Sequence, residues 1–553
     1  MPAQTRTMEH TFPKSGYHPV TGEWNDSVIG DYLWSSVNFG EAAPDVMTPS
    51  TWSLLWIYLH ITPPIRFPGG HPPGGNIAER LYFNLSLISS LYHAVGMDAH
   101  KEKFGDLIGA TPSELNVPYL PFSPLTVIWH VLPGMIQDWL LTRRDIKQFP
   151  NYIASLPEWV RTMRQRLQHC MDAAGLLSLW TESIMPTTLR DYRMLRSVTM
   201  NLSDLATQLN LDLTKLVGEI EARTLLSNLS GPSGDLESLG LLLGLARVKD
   251  GRMSREEYIE RYGHRGPHEV ELSAPGPDQD PDWFEKRLAD FIRSGVDPET
   301  LLAQQRAEFT AAWQRFEARF PDKAKSFRRR LDVVTAAEKN REMFRSERLR
   351  VSRLVTRPFL LQVGKVMDIG DDIFFLSVDE MTALLAGDKM SVSAVPARRA
   401  MYRRTCALPP YPALIYGRFD PFEWAADPNR RSDFYDARQA GATALSSVIK
   451  GFAGAAGCVE GIVRRIDRVE DGNQAQPGEI LVTTITNVGW TPIFPRLAAI
   501  ITDVGAPLSH AAIVARELGI PAVVGCGNAT MLLKTGDRVR VDGGRGIVEI
   551  LSG

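Results

Sequence analysis

The amino-acid sequence predicts a multidomain α+β protein in which a large, mostly helical domain precedes a small α/β domain. Three observations support this fold class. The 553 residues exceed what one hydrophobic core organises, so roughly two to four domains are expected. Helical periodicity and helix-forming residues dominate from about residue 76 to about residue 440. Short apolar runs between glycine-rich turns dominate residues 457–553, which is typical of strands.

Composition shifts along the chain predict four parts. Residues 1–75 are polar and rich in glycine and proline, and we interpret them as a lead-in and the start of the central domain. Residues 76–440 form the mostly helical domain. Residues 441–456, rich in small residues, are the predicted linker to the last domain, residues 457–553.

The elements are predicted in order from these patterns. Residues 77–260 are largely helical, residues 263–282 form a loop rich in Gly, Pro and Asp, and long charge-mixed helices cover residues 283–366. Residues 371–377 are predicted as a short strand before a helix with a capping box that begins at Ser377. The strands of the last domain are predicted at residues 480–483, 498–501, 522–525, 538–541 and 547–550.

Composition also argues against several classes of function and of binding site. A net charge of -3 offers no electrostatic case for binding nucleic acid or a membrane surface. The four cysteines are far apart and form no CxxC pair, which disfavours a disulfide framework or a zinc site. The most apolar long window, residues 120–141, contains prolines and polar residues, so we expect a buried helical hairpin there and no membrane span. With no apolar leader pattern at the N-terminus, we expect a cytoplasmic protein.

The most informative stretch is residues 502–521, which places a histidine where an apolar strand ends and a helix begins. Ser509 is a good N-cap for the helix that starts at His510, and Gly505 allows the preceding loop to approach a ligand closely. A helix start offers unpaired N–H groups and partial positive charge, which suit a phosphate. Imidazole can carry a phosphoryl group covalently, although a buried histidine with a structural role shows the same local pattern.

Residues 502–521, together with Trp490, Thr491 and Pro492, resemble the phosphohistidine or PEP-utilising mobile-domain family, to which pyruvate phosphate dikinase, phosphoenolpyruvate synthase and rifampicin phosphotransferase belong. The resemblance implies a small swivelling domain that carries phosphate on His510. It implies supporting roles around that phosphate for Thr502, Gly505, Ser509 and Ala511.

A second motif lies in residues 262–271 and resembles an element of the acceptor-binding domain of the same family. It crowds acids and cations into a loop bounded by glycine and proline: His264, Arg265, Glu269 and Glu271. Such a group could bind an acceptor hydroxyl, take its proton and neutralise a phosphoryl group. The alternative is a network of ion pairs with the structural role of anchoring the loop. Pro267 argues against a zinc-binding helix, so no metal site is predicted in this chain.

The sequence contains no glycine-rich phosphate loop with the lysine and acidic magnesium ligands of an ATP site. The resemblance therefore implies that ATP and Mg²⁺ bind a separate ATP-grasp subunit, and that the partners of this chain are that subunit and a small-molecule acceptor, without nucleic acid or membrane. Two alternatives remain: a non-catalytic binding or regulatory module with a retained fold, and a synthase or dehydratase acting on an already phosphorylated substrate.

Overall fold

A computed structural model describes residues 16–18, 21–37, 43–60, 65–96, 117–226, 237–276, 282–295, 297–428, 430–438, 448–506 and 509–551. The predicted fold class is confirmed: a large helical part is followed by a small domain of strands and short helices. The helices are α1 (Pro49–His60), α2 (Leu85–Ala94), α3 (Leu132–His169), α4 (Ala173–Leu179), α5 (Met185–Val217), α6 (Glu219–Leu226), α7 (Glu237–Lys249), α8 (Arg255–Tyr262), α9 (Trp283–Ser294), α10 (Pro298–Arg319), α11 (Pro321–Val351), α12 (Arg357–Val366), α13 (Val378–Leu385), α14 (Val395–Cys406), α15 (Pro421–Ala426), α16 (His510–Leu518) and α17 (Ala529–Leu532).

Three long helices, α3, α5 and α11, pack against one another and form the centre of the helical part. Their inward faces carry apolar side chains such as Phe149, Val198 and Phe344, which are almost fully buried. This packing fixes the position of α11, and α11 in turn supports the last turn of α8. Arg350 of α11 donates hydrogen bonds to the carbonyl oxygens of Glu260 and Arg261.

A five-stranded sheet, which the sequence analysis did not predict, joins the beginning of the chain to residues 414–436. The order is β2-β3-β1-β4-β5, with β1 antiparallel to β3 and β4, and β4 parallel to β5. Leu81, which fits a helical pattern in the sequence, lies on β3. The strands are β1 (Leu33–Ser35), β2 (Gly74–Ile77), β3 (Arg80–Asn84), β4 (Leu414–Tyr416) and β5 (Phe434–Asp436).

The C-terminal domain is built on an eight-stranded sheet in the order β6-β13-β12-β8-β9-β10-β11-β7, in which β8 to β11 are parallel. Parallel strands need helical crossovers, and α16 supplies one between β10 and β11. The strands are β6 (Val448–Lys450), β7 (Phe452–Ala455), β8 (Cys458–Arg465), β9 (Ile480–Thr483), β10 (Ala499–Thr502), β11 (Ala522–Val524), β12 (Arg538–Asp542) and β13 (Ile547–Ile550).

Two local predictions differ from the structure, and a third is confirmed. The linker placed at residues 441–456 overlaps β6 and β7, which belong to the C-terminal sheet, while residues 439–447 lie outside the described residues. Residues 371–377 do not form a strand, because Gly370–Phe375 is a 3-10 helix. The capping box at Ser377 and Glu380 is confirmed, with both reciprocal hydrogen bonds present.

The apolar window at residues 120–141 does not form a buried hairpin. It is one continuous helical segment, formed by Pro124–Thr126, the π-helical turn Val127–Val131 and the start of α3, and many of its apolar side chains are exposed. Among the described residues, none of the helices is both long and apolar enough to cross a membrane.

Candidate functional site

The loop between β10 and α16 places His510 at the first position of a helix, as predicted. The hydroxyl of Ser509 caps this helix by accepting a hydrogen bond from the backbone N–H of Ala512 at 3.2 Å. Gly505 has a φ of 150°, and a Cβ there would lie 3.1 Å from Cβ of Val524. Glycine at this position therefore lets the loop pass close to β11 before the helix begins.

Two threonines hold the ring of His510. The hydroxyl of Thr486 lies 3.2 Å from Nδ1, and the hydroxyl of Thr491 lies 3.2 Å from Nε2. The ring of Phe494 packs beside the imidazole, with 5.7 Å between ring centroids. Both ring nitrogens thus have a hydroxyl group beside them, and these two contacts fix the plane of the ring. Because each hydroxyl can donate or accept a hydrogen bond, either nitrogen can carry the ring proton.

Burial, together with the positive charges of Arg345 and Arg265, lowers the pKa of His510 to about 3, although Glu342 opposes the shift. The imidazole is therefore neutral at physiological pH. A neutral ring keeps the nitrogen lone pair that a nucleophile needs, whereas the protonated ring has none.

The other residues predicted to support the phosphate lie behind the loop. Thr502 and Ala511 are fully buried, and the hydroxyl of Thr502 has no hydrogen-bond partner among the described residues. Asp503 accepts hydrogen bonds from the backbone N–H of Thr530 at 2.9 Å and from the hydroxyl of Ser432 at 2.9 Å. Its carboxylate therefore anchors the loop to α17 and does not orient the histidine.

Charged side chains of the helical part lie near the site, and the charges of Arg345, Glu342 and Arg265 act on His510. Nε of Arg265 donates to Oε2 of Glu269 at 2.8 Å, and Nη2 of Arg345 lies 3.6 Å from Oε1 of the same carboxylate. Burial raises the pKa of Glu342, but the neighbouring cations Arg341 and Arg345 outweigh it and hold that pKa below the usual value. We call these five residues, Arg265, Glu269, Arg341, Glu342 and Arg345, the arginine–glutamate cluster.

Of the four residues predicted at the motif of residues 262–271, two belong to this cluster and two make structural contacts elsewhere. Arg265 and Glu269 belong to the cluster. His264 instead places Nε2 2.9 Å from the hydroxyl of Ser346, and burial lowers its pKa well below the usual value. Glu271 accepts hydrogen bonds from the backbone N–H and hydroxyl of Thr48, at 2.9 and 2.8 Å. Its carboxylate thus caps the start of α1.

The same loop contacts the C-terminal domain directly. Nε2 of His268 lies 2.9 Å from Oε1 of Glu470 in that domain, and Nδ1 lies 2.5 Å from Oδ1 of Asp45. A Cβ at Gly489 would lie 3.2 Å from Cβ of Pro267. Helices α10 and α16 also pack together, in one apolar core shared by the two domains. His510 therefore stands at a domain boundary, facing the arginine–glutamate cluster.

Sequence reasoning missed Thr486, Glu342 and Arg345. Thr491 was quoted for its match to the family, without a role at the ring. Neither Glu342 nor Arg345 stands out in the sequence, since the helix around them is rich in both charges. Among the residues that the structure describes, no group of three or more His, Cys, Asp or Glu side chains could hold a metal ion.

Comparison with protein families gives two matches. The family described as "PEP-utilising enzyme, mobile domain" matches residues 475–546, which include His510. The family described as "Rifampicin phosphotransferase fourth domain" matches residues 164–342, which include Arg265, Glu269 and Glu342. These matches confirm the resemblance identified in the sequence around His510.

Individual relatives agree with these matches. An uncharacterised protein of Mycobacterium tuberculosis is 33% identical over 298 residues, covering 52% of this chain and 30% of the relative. Rifampicin phosphotransferase of Bacillus cereus is 35% identical over 188 residues, covering 34% and 20%. The prodigiosin synthesizing transferase PigC of Serratia marcescens is 29% identical over 309 residues, covering 54% and 33%. The chain thus spans a third or less of the length of these relatives.

Among solved structures, aconitase X of Thermococcus kodakaraensis matches 19% of this chain and 98% of its own, at 28% identity. The TM-score of 0.17 is too low to support a comparison of the two folds.

Proposed function

Because the chain carries a PEP-utilising enzyme mobile domain behind a rifampicin phosphotransferase fourth domain, we propose that it is a dikinase-type phosphotransferase component. It carries a phosphoryl group on His510 and delivers it to a small-molecule acceptor. ATP is cleaved on a separate ATP-grasp subunit in the presence of Mg²⁺. The single observation that best supports this proposal is the position of His510, a neutral imidazole at a helix start that faces the buried Arg265 and the half-buried Arg345.

The first step forms a bond between phosphorus and a ring nitrogen of His510, while the bond between phosphorus and the leaving oxygen of the donor breaks. The two hydroxyls of Thr486 and Thr491 hold the ring in one plane for this attack. The attack needs the neutral ring, because a protonated imidazole has no free nitrogen lone pair.

The second step takes place with the C-terminal domain docked as in the structure. The acceptor oxygen forms a bond to phosphorus as the bond from phosphorus to nitrogen breaks, and the acceptor proton passes to Glu269 or Glu342. Arg265 and Arg345 stabilise the negative charge on the phosphoryl oxygens. Fixed cations in a site with little water stabilise the charge of the transition state more than bulk water does, because they need no reorganisation during transfer.

Access to the donor requires the C-terminal domain to leave this position, since His510 is partly buried against the helical part. Undocking has to separate the apolar contact between α10 and α16, whereas the polar contact across the boundary opposes it only weakly. The contact from His268 to Glu470 is half-exposed, and exposed ion pairs contribute little stability. We therefore assign the docked arrangement to the delivery state and an undocked arrangement to the loading state.

The experiment uses the full chain, a candidate ATP-grasp subunit, Mg²⁺ and ATP labelled on its β- or γ-phosphate, with phosphoramidate as a donor that needs no partner. Base-stable, acid-labile label should appear on the wild-type chain and on the control variant His169→Ala, which changes an exposed histidine. It should be absent from His510→Ala. Label that persists in His510→Ala would contradict the proposal, as would a wild-type chain that no donor labels.

A further inference from the structure

One segment of the helical part exposes an unusual amount of apolar surface. Residues 125–140 cover the helical turns before α3 and its beginning, and they turn eight large apolar side chains toward solvent. We call this surface the apolar stripe: Leu125 (66% exposed), Ile128 (47%), Trp129 (75%), Leu132 (43%), Met135 (50%), Ile136 (52%), Trp139 (49%) and Leu140 (55%).

The stripe covers most of the circumference of its helix. Only Val127, Val131, Gly134 and Asp138, spaced three or four residues apart, are buried against the rest of the protein. Residues 124–141 contain one charged residue, Asp138, and it faces inward. A helix that is apolar on nearly all sides is normally covered, and a patch of this size marks an interaction surface.

We propose that the stripe is the interface of a homodimer, in which a second copy of this chain packs its own stripe antiparallel to the first. Such an interface is isologous, so the surface must complement itself under a two-fold rotation. The sequence of the stripe has this property, because residue types repeat in reverse order around position 134. Trp129 mirrors Trp139, Ile128 mirrors Leu140, and Leu132 mirrors Ile136.

An antiparallel pair of helices therefore brings side chains of similar size together along the stripe. Trp129 of one copy lies at the height of Trp139 of the second copy, and Leu132 and Ile136 meet at the two-fold axis. Gly134 is on the buried face and does not interrupt the contact. Arg143, whose guanidinium lies 3.6 Å from the ring centroid of Trp139, places its charge at the end of the stripe, where an interface has its polar rim.

The exposed area is sufficient for a stable dimer. The eight side chains are on average about half exposed. Taking about 200 Å² for a large apolar side chain, the stripe offers roughly 800–900 Å² per copy. A stable, specific interface buries about 800 Å² per partner. The stripe thus supplies this area when the second copy covers all of its exposed side chains.

The test is sedimentation of the full chain at micromolar concentrations. We expect the wild type to sediment as a dimer, and Trp129→Glu and Trp139→Arg each to sediment as monomers with unchanged far-ultraviolet circular dichroism. The control variant Met390→Glu changes an apolar side chain that is 80% exposed outside the stripe, and it should remain dimeric. An equimolar mixture of the two monomeric variants should recover a heterodimer, because the antiparallel register pairs the new glutamate with the new arginine.

A monomeric wild type would overturn the proposal. The stripe would then be covered either by residues 97–116 of the same chain or by a lipid surface. Vesicle flotation and a deletion of residues 97–116 separate these two occupants. A wild-type dimer that survives Trp129→Glu would place the interface elsewhere. Failure of the mixed variants to associate would overturn the antiparallel arrangement.

Discussion

Replacing His268 should weaken the docking of the C-terminal domain, because this side chain bridges three parts of the chain. It contacts Asp45 near α1 and Glu470 in the C-terminal domain, at 2.5 and 2.9 Å. Its φ of 59° lies in the left-handed region, so His268→Asn is the suitable variant, since asparagine tolerates that conformation. The neighbouring charges are Arg353, which donates to the carbonyl oxygen of His268, and Arg468, whose charge acts on Glu470.

The magnitude follows from the charge and exposure of the bridge. Hydrogen bonds to Asp45 and Glu470 raise the pKa of His268 to about 10, so the ring is cationic at neutral pH. Taken alone, a rise from 6.5 to about 10 would correspond to several kcal/mol. The ring is 48% exposed, however, and solvent screening reduces each exposed pair to about 1 kcal/mol or less. Only the contact with Glu470 crosses the domain boundary, because Asp45 lies outside the C-terminal domain. We therefore expect His268→Asn to cost about 1 kcal/mol of docking, a factor of about 5 in the docked population.

The pH dependence has a definite sign. Because Glu470 contributes to the raised pKa, the docked state binds the proton more tightly than the undocked state, and this contribution to docking is lost as the pH rises through about 10. Docking of the wild type should therefore weaken between about pH 7 and pH 10 more than docking of His268→Asn.

Hydrogen exchange of the amides in α16 and in residues 487–494, read by mass spectrometry, reports the docked population at each pH. His169→Ala, at an exposed histidine of α3, is the matched control. Glu470→Gln combined with His268→Asn completes a double-mutant cycle that isolates the pair from the effect on Asp45. Equal protection of α16 in the wild type and His268→Asn at pH 7 would refute the reasoning.

Further predictions concern single residues. Thr491→Val removes the hydroxyl beside Nε2 of His510. If His510 carries the phosphoryl group as proposed, phosphorylation should slow by about tenfold, the equivalent of about 1.4 kcal/mol, without a change in the melting temperature; an unchanged rate would show that the hydroxyl does not position the ring. Arg265→Ala removes the 2.8 Å partner of the buried carboxylate of Glu269 and leaves Arg345 at 3.6 Å. It should lower the free energy of unfolding by about 2–3 kcal/mol in urea titrations, whereas a loss below 1 kcal/mol would contradict the buried pair. Ser377→Ala removes the capping box of α13 and should cost about 1 kcal/mol, with no effect on phosphorylation. Gly505→Ala places a side chain against β11 at a φ of 150° and should reduce both stability and phosphorylation; wild-type behaviour in both assays would show that the loop tolerates a Cβ.

The elements that sequence predicted well depend on residues close together in the chain. Ser509 and His510 begin α16 because a hydroxyl that caps a helix acts within three residues of itself. The capping box of Ser377 and Glu380 has the same local origin. Apolar runs of three or four residues marked β9, β10 and β11, since these strands are buried on both faces. Alternation of charged and apolar residues marked β12.

Tertiary structure alone decided which side chains meet. The five-stranded sheet pairs residues 33–35 with residues 414–416, and strands this short leave no periodicity to detect. Arg345 reaches the site because α11 packs beside the loop after α8, which no spacing in the chain reveals. Exposure of the apolar stripe likewise depends on what the rest of the fold leaves uncovered. Local hydrogen bonding and hydrophobic patterning thus determine where elements begin and which residues they carry. Contacts between residues hundreds of positions apart depend on the packing of the whole chain.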